Sequence, residues 1–307
     1  MTRHKVVVFG SLNMDLVVQV PRAPMAGETL LGTGFLSNPG GKGANQAVAC
    51  ARQGGRVEMV GCVGDDAFGA DLLQALRAQG VDAGGVAIRP KSSSGTAVIL
   101  VDDAAENRIV VVPGANALAT EDDALALGPR LADAGLLLLQ LELPLAAVQR
   151  AAQVARAQGC PVLLNPAPAQ SLPPALLSLV DILVVNETEA QALTGLPEVH
   201  AANALQAARL LASQGPREVI LTLGSQGVVW HAPEGDGQLP AVSVRAVDTT
   251  AAGDTFIGAY AAMRVEGRNN REALAHAVVA AGLSVTRPGA QASMPTRAQV
   301  VAFLRGA

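Results

Sequence analysis

The feature that most constrains the fold is an alternation in the middle of the chain. After Thr120, helical stretches at about 121–133, 145–158 and 172–179 alternate with short apolar runs at about 136–141, 161–165 and 182–185. A βαβα order implies parallel strands joined by right-handed crossovers, with helices on both faces of the sheet. The chain has 307 residues, half of them apolar. One large domain with a small appendage fits that length better than two equal domains.

The flanking segments extend this reading. Residues 6–9 form a buried-strand run closed by Gly10, 44–53 a helix ended by Gly54 and Gly55, 57–63 a strand, and 68–79 a helix. Residues 219–223 read as another central strand, 227–230 and 241–244 as antiparallel strands, and the chain from Ala252 onward as helical. Two extended pieces do not fit the main sheet. One spans about 15–36, punctuated by Pro21, Pro24, Gly27, Gly32 and Gly34; the other, at about 95–112, reads as a hairpin around Asp102 and Asp103. They are expected to form a small second sheet over one end of the first.

Composition excludes several classes. Charged residues are 16% of the chain, too few for a disordered segment at this apolar content. The net charge of −4, with no basic block, argues against a nucleic-acid partner. Cys50, Cys62 and Cys160 are widely spaced and read as free buried thiols, not a disulfide framework or zinc site. No apolar run approaches the ~18 residues of a membrane helix, and the run at 6–9 is too short for a signal-peptide core. A cytoplasmic protein with no membrane partner is expected.

Ligands of open α/β sheets bind beyond the carboxyl ends of the strands, and polar clusters follow several of the expected strands. Asn13 and Asp15 are two apart in an extended segment, so they face the same side and offer an amide and a carboxylate to hydroxyls. The plainer alternative is an Asx turn. Pro39-Gly40-Gly41-Lys42-Gly43-Ala44-Asn45-Gln46 precedes a helix. It is neither a Walker A motif nor G-x-G-x-x-G, but its glycines allow close backbone approach to a small ligand. Lys42 is one of only three lysines in an arginine-rich chain. Glu142 follows a strand, either as a ligand contact or as charge at a helix N-terminus. Asn186 and Glu189 match a capping box or, alternatively, stand near phosphates and a hydrated Mg²⁺. Thr222, Gly224, Ser225, Gln226 and Gly227 suit phosphate contact or a hairpin turn.

The sharpest cluster is Asp248-Thr249-Thr250-Ala251-Ala252-Gly253-Asp254-Thr255, which opens a helix. The amides of Ala252, Gly253 and Asp254 would form an anion site at the positive helix end. Asp254, a carboxylate beside the bound anion, makes sense as a base that accepts the proton of an attacking hydroxyl. The alternative is capping by Asp248 or Thr250. No Ser–His–Asp set, nucleophile elbow or metal cluster competes, and His4, His200, His231 and His276 share no motif. The chemistry left is phosphoryl transfer to an alcohol.

Together these residues resemble the ribokinase (carbohydrate kinase, PfkB) family over essentially the whole chain. The motifs are Gly40–Ala47 in the first half and Asp248–Phe256 in the second, with Asn165-Pro-Ala-Pro168, Asn186–Glu189, Thr222–Gly227 and Thr286–Gln291 between or after them. The resemblance implies a ribokinase-like three-layer α/β sandwich, a mostly parallel central sheet with a β-sheet lid, as one domain of 1–307 that dimerises through the lid. It implies ATP-dependent phosphorylation of ribose at O5, with other small sugars or nucleosides as alternatives. A non-catalytic sugar-binding relative is the rival from another class. The sugar would be held by Asn13, Asp15, Gly41, Lys42, Gly43, Asn45 and Glu142, with Asp254 as base. ATP would contact Asn186, Thr222–Gly227, Gly253 and Val278, with Mg²⁺ reached by Glu189 through water. A potassium ion would lie among Asp248, Thr250, Ser284, Arg287, Gly289 and Ser293. Met14, Thr250 and Val278 depart from the residues commonest in that family.

Overall fold

The computed structural model describes residues 5–104 and 106–306; of the residues singled out above, His4 lies outside them, as does Ala105 within the second extended piece. The strands are β1 (Lys5–Phe9), β2 (Asn13–Gln19), β3 (Gly34–Gly40), β4 (Arg56–Gly64), β5 (Asp82–Arg89), β6 (Gly95–Val101) and β7 (Asn107–Val112). They continue with β8 (Ala134–Leu139), β9 (Val162–Leu164), β10 (Ile182–Asn186), β11 (Glu218–Thr222), β12 (Val228–His231) and β13 (Gly237–Leu239).

Nine strands form the main sheet in the order β13-β12-β11-β10-β9-β8-β1-β4-β5, parallel except for β12 and β13. The order reverses between β8, β1 and β4, where ligands of doubly wound sheets lodge. Helices cover both faces. Val6, Val8, Leu136 and Leu138 pack toward the helices Lys42–Arg52, Ala252–Val265 and Asn270–Ser284. Val7, Phe9, Leu137 and Leu139 pack toward Leu145–Ala157 and Ala204–Ala212. A central strand with both faces covered must be apolar at every position, so these runs are continuous and not alternating.

The second sheet has the order β3-β2-β6-β7 and takes its strands from both extended pieces. The hairpin of β6 and β7 is as expected, and β2 lies parallel to β6. The first piece yields strands at 13–19 and 34–40, which overrun its expected bounds at both ends; the Pro- and Gly-rich stretch between them is not strand.

Several sequence expectations shift. The strand expected at 241–244 is instead Gly237–Leu239. Gly237 lies under the Trp230 ring, where a side chain would not fit, and Pro240 stops the pairing. The helix expected at 121–133 breaks into Glu121–Leu125 and Gly128–Leu131, with Pro129 in the first turn of the second, and the one at 172–179 shrinks to Pro174–Leu177. The helical C-terminal third is interrupted between Ser284 and Arg297. Strand β5 was not signalled, because Gly84 and Gly85 and its mixed exposure blur any apolar pattern. Among the described residues no helix is long and apolar enough to cross a membrane.

Candidate active site

Three carboxylates and a lysine converge beyond the carboxyl ends of β1 and β8. The chain leaves β3 at Gly40 and enters the helix Lys42–Arg52 directly. Gly41, which caps that helix, has φ 86°, and a Cβ there would lie 2.7 Å from the Asn13 amide nitrogen. Only glycine lets this loop press against the start of β2. The helix has neither a side-chain cap at Gly41 nor an acid in its first turn. Glu142, a hundred positions away, supplies the charge. Its Oε2 accepts from the Lys42 amide at 3.1 Å and from the Ser11 hydroxyl. Glu142 thus serves as charge at a helix N-terminus, and the helix is the one that carries the glycine loop.

Asn13 and Asp15 point to one side of β2. Asn13 is buried, and its Oδ1 accepts from Asn116 Nδ2 at 2.8 Å. Asn116 also binds the backbone of Leu12 in both directions, at 3.0 Å each. Nothing in the sequence singled out Asn116, a lone amide in a short 3₁₀ turn. Asp15 forms no side-chain hydrogen bond among the described residues. Burial, with the nearby charges of Glu142 and Asp254, pushes its carboxyl up to about 7.

Asp254 lies in the first turn of the helix Ala252–Val265 and is only 7% exposed. Its Oδ2 accepts from Asn45 Nδ2 at 3.1 Å and its Oδ1 from Gln46 Nε2 at 3.0 Å. Those amides are themselves oriented. Gln291 Nε2 donates to Asn45 Oδ1 at 3.2 Å, and Gln140 Nε2 donates to Gln46 Oε1 at 2.6 Å. Burial raises the Asp254 carboxyl above its ordinary range, while Lys42 and the two amides pull it back. Lys42 is in turn held above its ordinary value by Asp254, Glu142 and Glu189, which outweigh its burial.

The helix start differs from expectation in two ways. Neither Asp248 nor Thr250 caps it; the capping residue is Ala251, in the left-handed region at φ 58° with no side-chain bond. The three-amide anion site is reduced to two, because the Ala252 amide donates to Thr249 O at 3.2 Å. The amides of Gly253 and Asp254 have no acceptor among the described residues. A Cβ on Gly253 would meet nothing within 4 Å, so the space in front of these donors is open.

A cavity of about 330 Å³ faces them, lined by Lys42, Asn165, Asn186, Glu189, Thr222, Gly224, Gly253 and Asp254 among others. Asn186 and Glu189 do form the capping box, with Asn186 Oδ1 accepting from the Glu189 amide at 2.8 Å and Glu189 Oε2 from the Asn186 amide at 3.0 Å. They also wall the cavity. Ser225, Gln226 and Gly227 do not line it: they complete the β11–β12 turn, where the Leu223 amide donates to Gly227 O at 2.8 Å. Val278 lies in the core and also stays off the cavity wall.

The residues assigned to a monovalent cation come from two loops that the structure ties together. Asp248 accepts from the Thr250 amide at 2.9 Å and the Gly289 amide at 2.8 Å, and its own amide donates to Val285 O. Hydrogen bonds hold its carboxyl below the ordinary value against the opposing effect of burial. Ser284 and Ser293 hydroxyls donate to Ala281 O and Ala290 O, which leaves their oxygen lone pairs free. Arg287 comes near Arg52, whose pKa its charge lowers along with burial.

Asp15 makes the ligand-free protein pH-sensitive. A carboxyl raised to about 7 when folded binds more protons in the native than the unfolded chain, so it lowers stability as pH rises from about 4 through about 7. Asp15→Asn should raise the melting temperature at about pH 8, by about 2–4 °C for each kcal/mol relieved. The gain should shrink toward about pH 4. Equal gains at both pH values in calorimetry would refute this.

Comparison with known proteins agrees with the geometry. Residues 3–297 match the pfkB family of carbohydrate kinases. The chain is 41% identical to a ribokinase of Haemophilus influenzae over 305 residues, which span 99% of this chain and all of the relative. It is 37% identical to a deoxyribokinase of Salmonella typhi, covering 97% of this chain and 98% of that one. A ribokinase of Arabidopsis thaliana, solved with ribose and ATP, superposes with a TM-score of 0.91 at 35% identity and 98% coverage of both chains. The chain is thus a member of the pfkB family of carbohydrate kinases.

Proposed function

We propose that this chain transfers the γ-phosphoryl group of ATP to the O5 hydroxyl of D-ribose. The observation that carries the reading is the buried Asp254 carboxylate, fixed by Asn45 and Gln46, beside two unpartnered amides at an open helix end. The sugar hydroxyls meet Asn13, Asp15, Glu142, Asn45 and the loop Gly41-Lys42-Gly43. Asp254 takes the O5 proton as that oxygen bonds to phosphorus and the bond to the ADP oxygen breaks. The amides of Gly253 and Asp254, with Lys42, neutralise charge on the group in transit. Asn186, Thr222 and Gly224 border the nucleotide. The likeness to the Arabidopsis protein, solved with both substrates, supports this assignment.

Mg²⁺ fits Glu189 at one remove. Both its carboxylate oxygens already accept from the amides of Asn165 and Asn186, which favours contact through the ion's waters. Mg²⁺ would supply charge neutralisation at the phosphates. A potassium ion fits the paired loops at Asp248 and Gly289, where Thr250, Ser284, Arg287 and Ser293 offer oxygens, and would steady the helix start. In the same reading, residues 1–307 form one cytoplasmic domain and the small sheet closes over the sugar. A second copy covers one face of that sheet, where Phe35 and Val110, on the same side by register, are both 63% exposed.

ADP release with ribose, against 2-deoxyribose, fructose and a nucleoside, tests the substrate; faster turnover of any rival would reassign it. Asp254→Asn should lower kcat about 10²–10⁴-fold with sugar binding retained. Gly253→Ala separates chemistry from folding. It should leave stability unchanged or higher, since helical alanine gains up to about 1 kcal/mol over glycine, yet impair turnover by filling the phosphoryl space. Full activity in either variant removes its assigned role. Equal rates in potassium, sodium and choline salts would dismiss the cation, and a monomeric sedimentation coefficient would dismiss the dimer.

A further inference from the structure

A second cavity, of about 470 Å³, opens at the other end of the molecule. Strand β11 connects the two regions, because Thr222 lines the active-site cavity while Glu218, at the opposite end of the strand, bonds to residues that line the second. The helix Ala252–Val265 runs the same way, starting at Asp254 and ending beside this cavity. The catalytic reading uses none of the residues here.

The lining is rich in donors without acceptors. Arg264, Arg268 and Arg271 all face the cavity. Arg268 and Arg271 are exposed and form no ion pair among the described residues. Arg264 is held rigidly: it donates to Glu218 at 2.9 Å and to the Tyr260 hydroxyl, and its guanidinium lies 5.4 Å from the Tyr260 ring centre. Asn270 is 8% exposed and lines the same cavity. Its Oδ1 accepts from Tyr260 at 3.1 Å, while its Nδ2 has no hydrogen-bond partner. A buried amide donor left unpaired is costly, and this one lies just beneath the cavity wall. Asn270 also begins the fifteen-residue helix Asn270–Ser284, whose first two amides, of Asn270 and Arg271, lack acceptors among the described residues.

The acids nearby are largely spent. Glu218 is paired with Arg264, and Asp236 is bonded to Arg209 at 3.0 Å and to His231. Glu234, on the rim, is exposed. The guanidinium groups of Arg268 and Arg271, unpaired among the described residues, and a helix N-terminus remain around one opening, with the paired Arg264 beneath them.

We propose that this cavity binds a phosphate-type oxyanion, distinct from the phosphoryl groups handled at Asp254. Arg268 and Arg271 grip it from the solvent side, Arg264 forms the fixed floor, and the start of the helix Asn270–Ser284 supplies backbone donors. The ligand chemistry is that of free phosphate or of a phosphate monoester.

The chain carries its own reporter. Trp230 is the single tryptophan and lines this cavity, not the active site. Tryptophan emission is followed while inorganic phosphate, or in a parallel arm a pentose monophosphate, is titrated against sodium chloride of equal ionic strength. A saturable change is expected that chloride does not reproduce, and the arm with the tighter midpoint identifies the source. Arg268→Ser with Arg271→Ser should weaken that midpoint about tenfold or more, with kcat for the sugar unchanged. No saturable change in either arm, or the same midpoint in the double variant, would overturn the proposal.

Discussion

The site depends on holding a buried carboxyl against the effect of its own burial. Asp254 is only 7% exposed, and burial raises its carboxyl above the ordinary range. Lys42 supplies the opposing charge, and Asn45 and Gln46 supply a donor to each oxygen. These three residues come from one helical turn next to Gly41. The glycine loop and Asp254 are therefore parts of a single electrostatic unit, although some two hundred residues separate them in sequence. The carboxamides of Gln140 and Gln291 prevent the two clamping amides from turning, which fixes where the oxygens of Asp254 point.

The architecture supports this with little extra machinery. A parallel sheet brings the ends of β1, β8 and β10 to one edge, so residues just beyond them meet without long loops. Glu142 follows β8 and caps the helix after β3; Asn186 ends β10 and caps the next helix. Asn186, which completes a helix, also lines the cavity. Capping and bordering the cavity are compatible, and weighing one against the other from sequence poses a false choice there.

Much of this was legible in the chain. The continuous apolar runs announce buried parallel strands, and the polar clusters behind them announce the site. What stayed hidden is set by tertiary neighbours. Asn116 is placed by the backbone of Leu12, a partner over a hundred residues away. The engagement of the Ala252 amide by Thr249 depends on a left-handed Ala251 that nothing in the local sequence demands. Strand β5 is edge-exposed and glycine-bearing, so it carries no apolar period, and β13 is fixed by the flat face of Trp230 instead of by its own side chains. The Gly128-Pro129 pair, by contrast, was a readable helix break that the apolar pattern around it masked.

The small sheet is joined to the site in an unusual way. Strand β2 begins at Asn13 and includes Asp15, and β3 runs directly into Gly40 and Gly41. The first residues of the small sheet and the residues proposed to meet the sugar are therefore the same few. Any displacement of that sheet relative to the main one must carry Asn13 and Asp15 with it, and selection acting on the packing of one must alter the placement of the other.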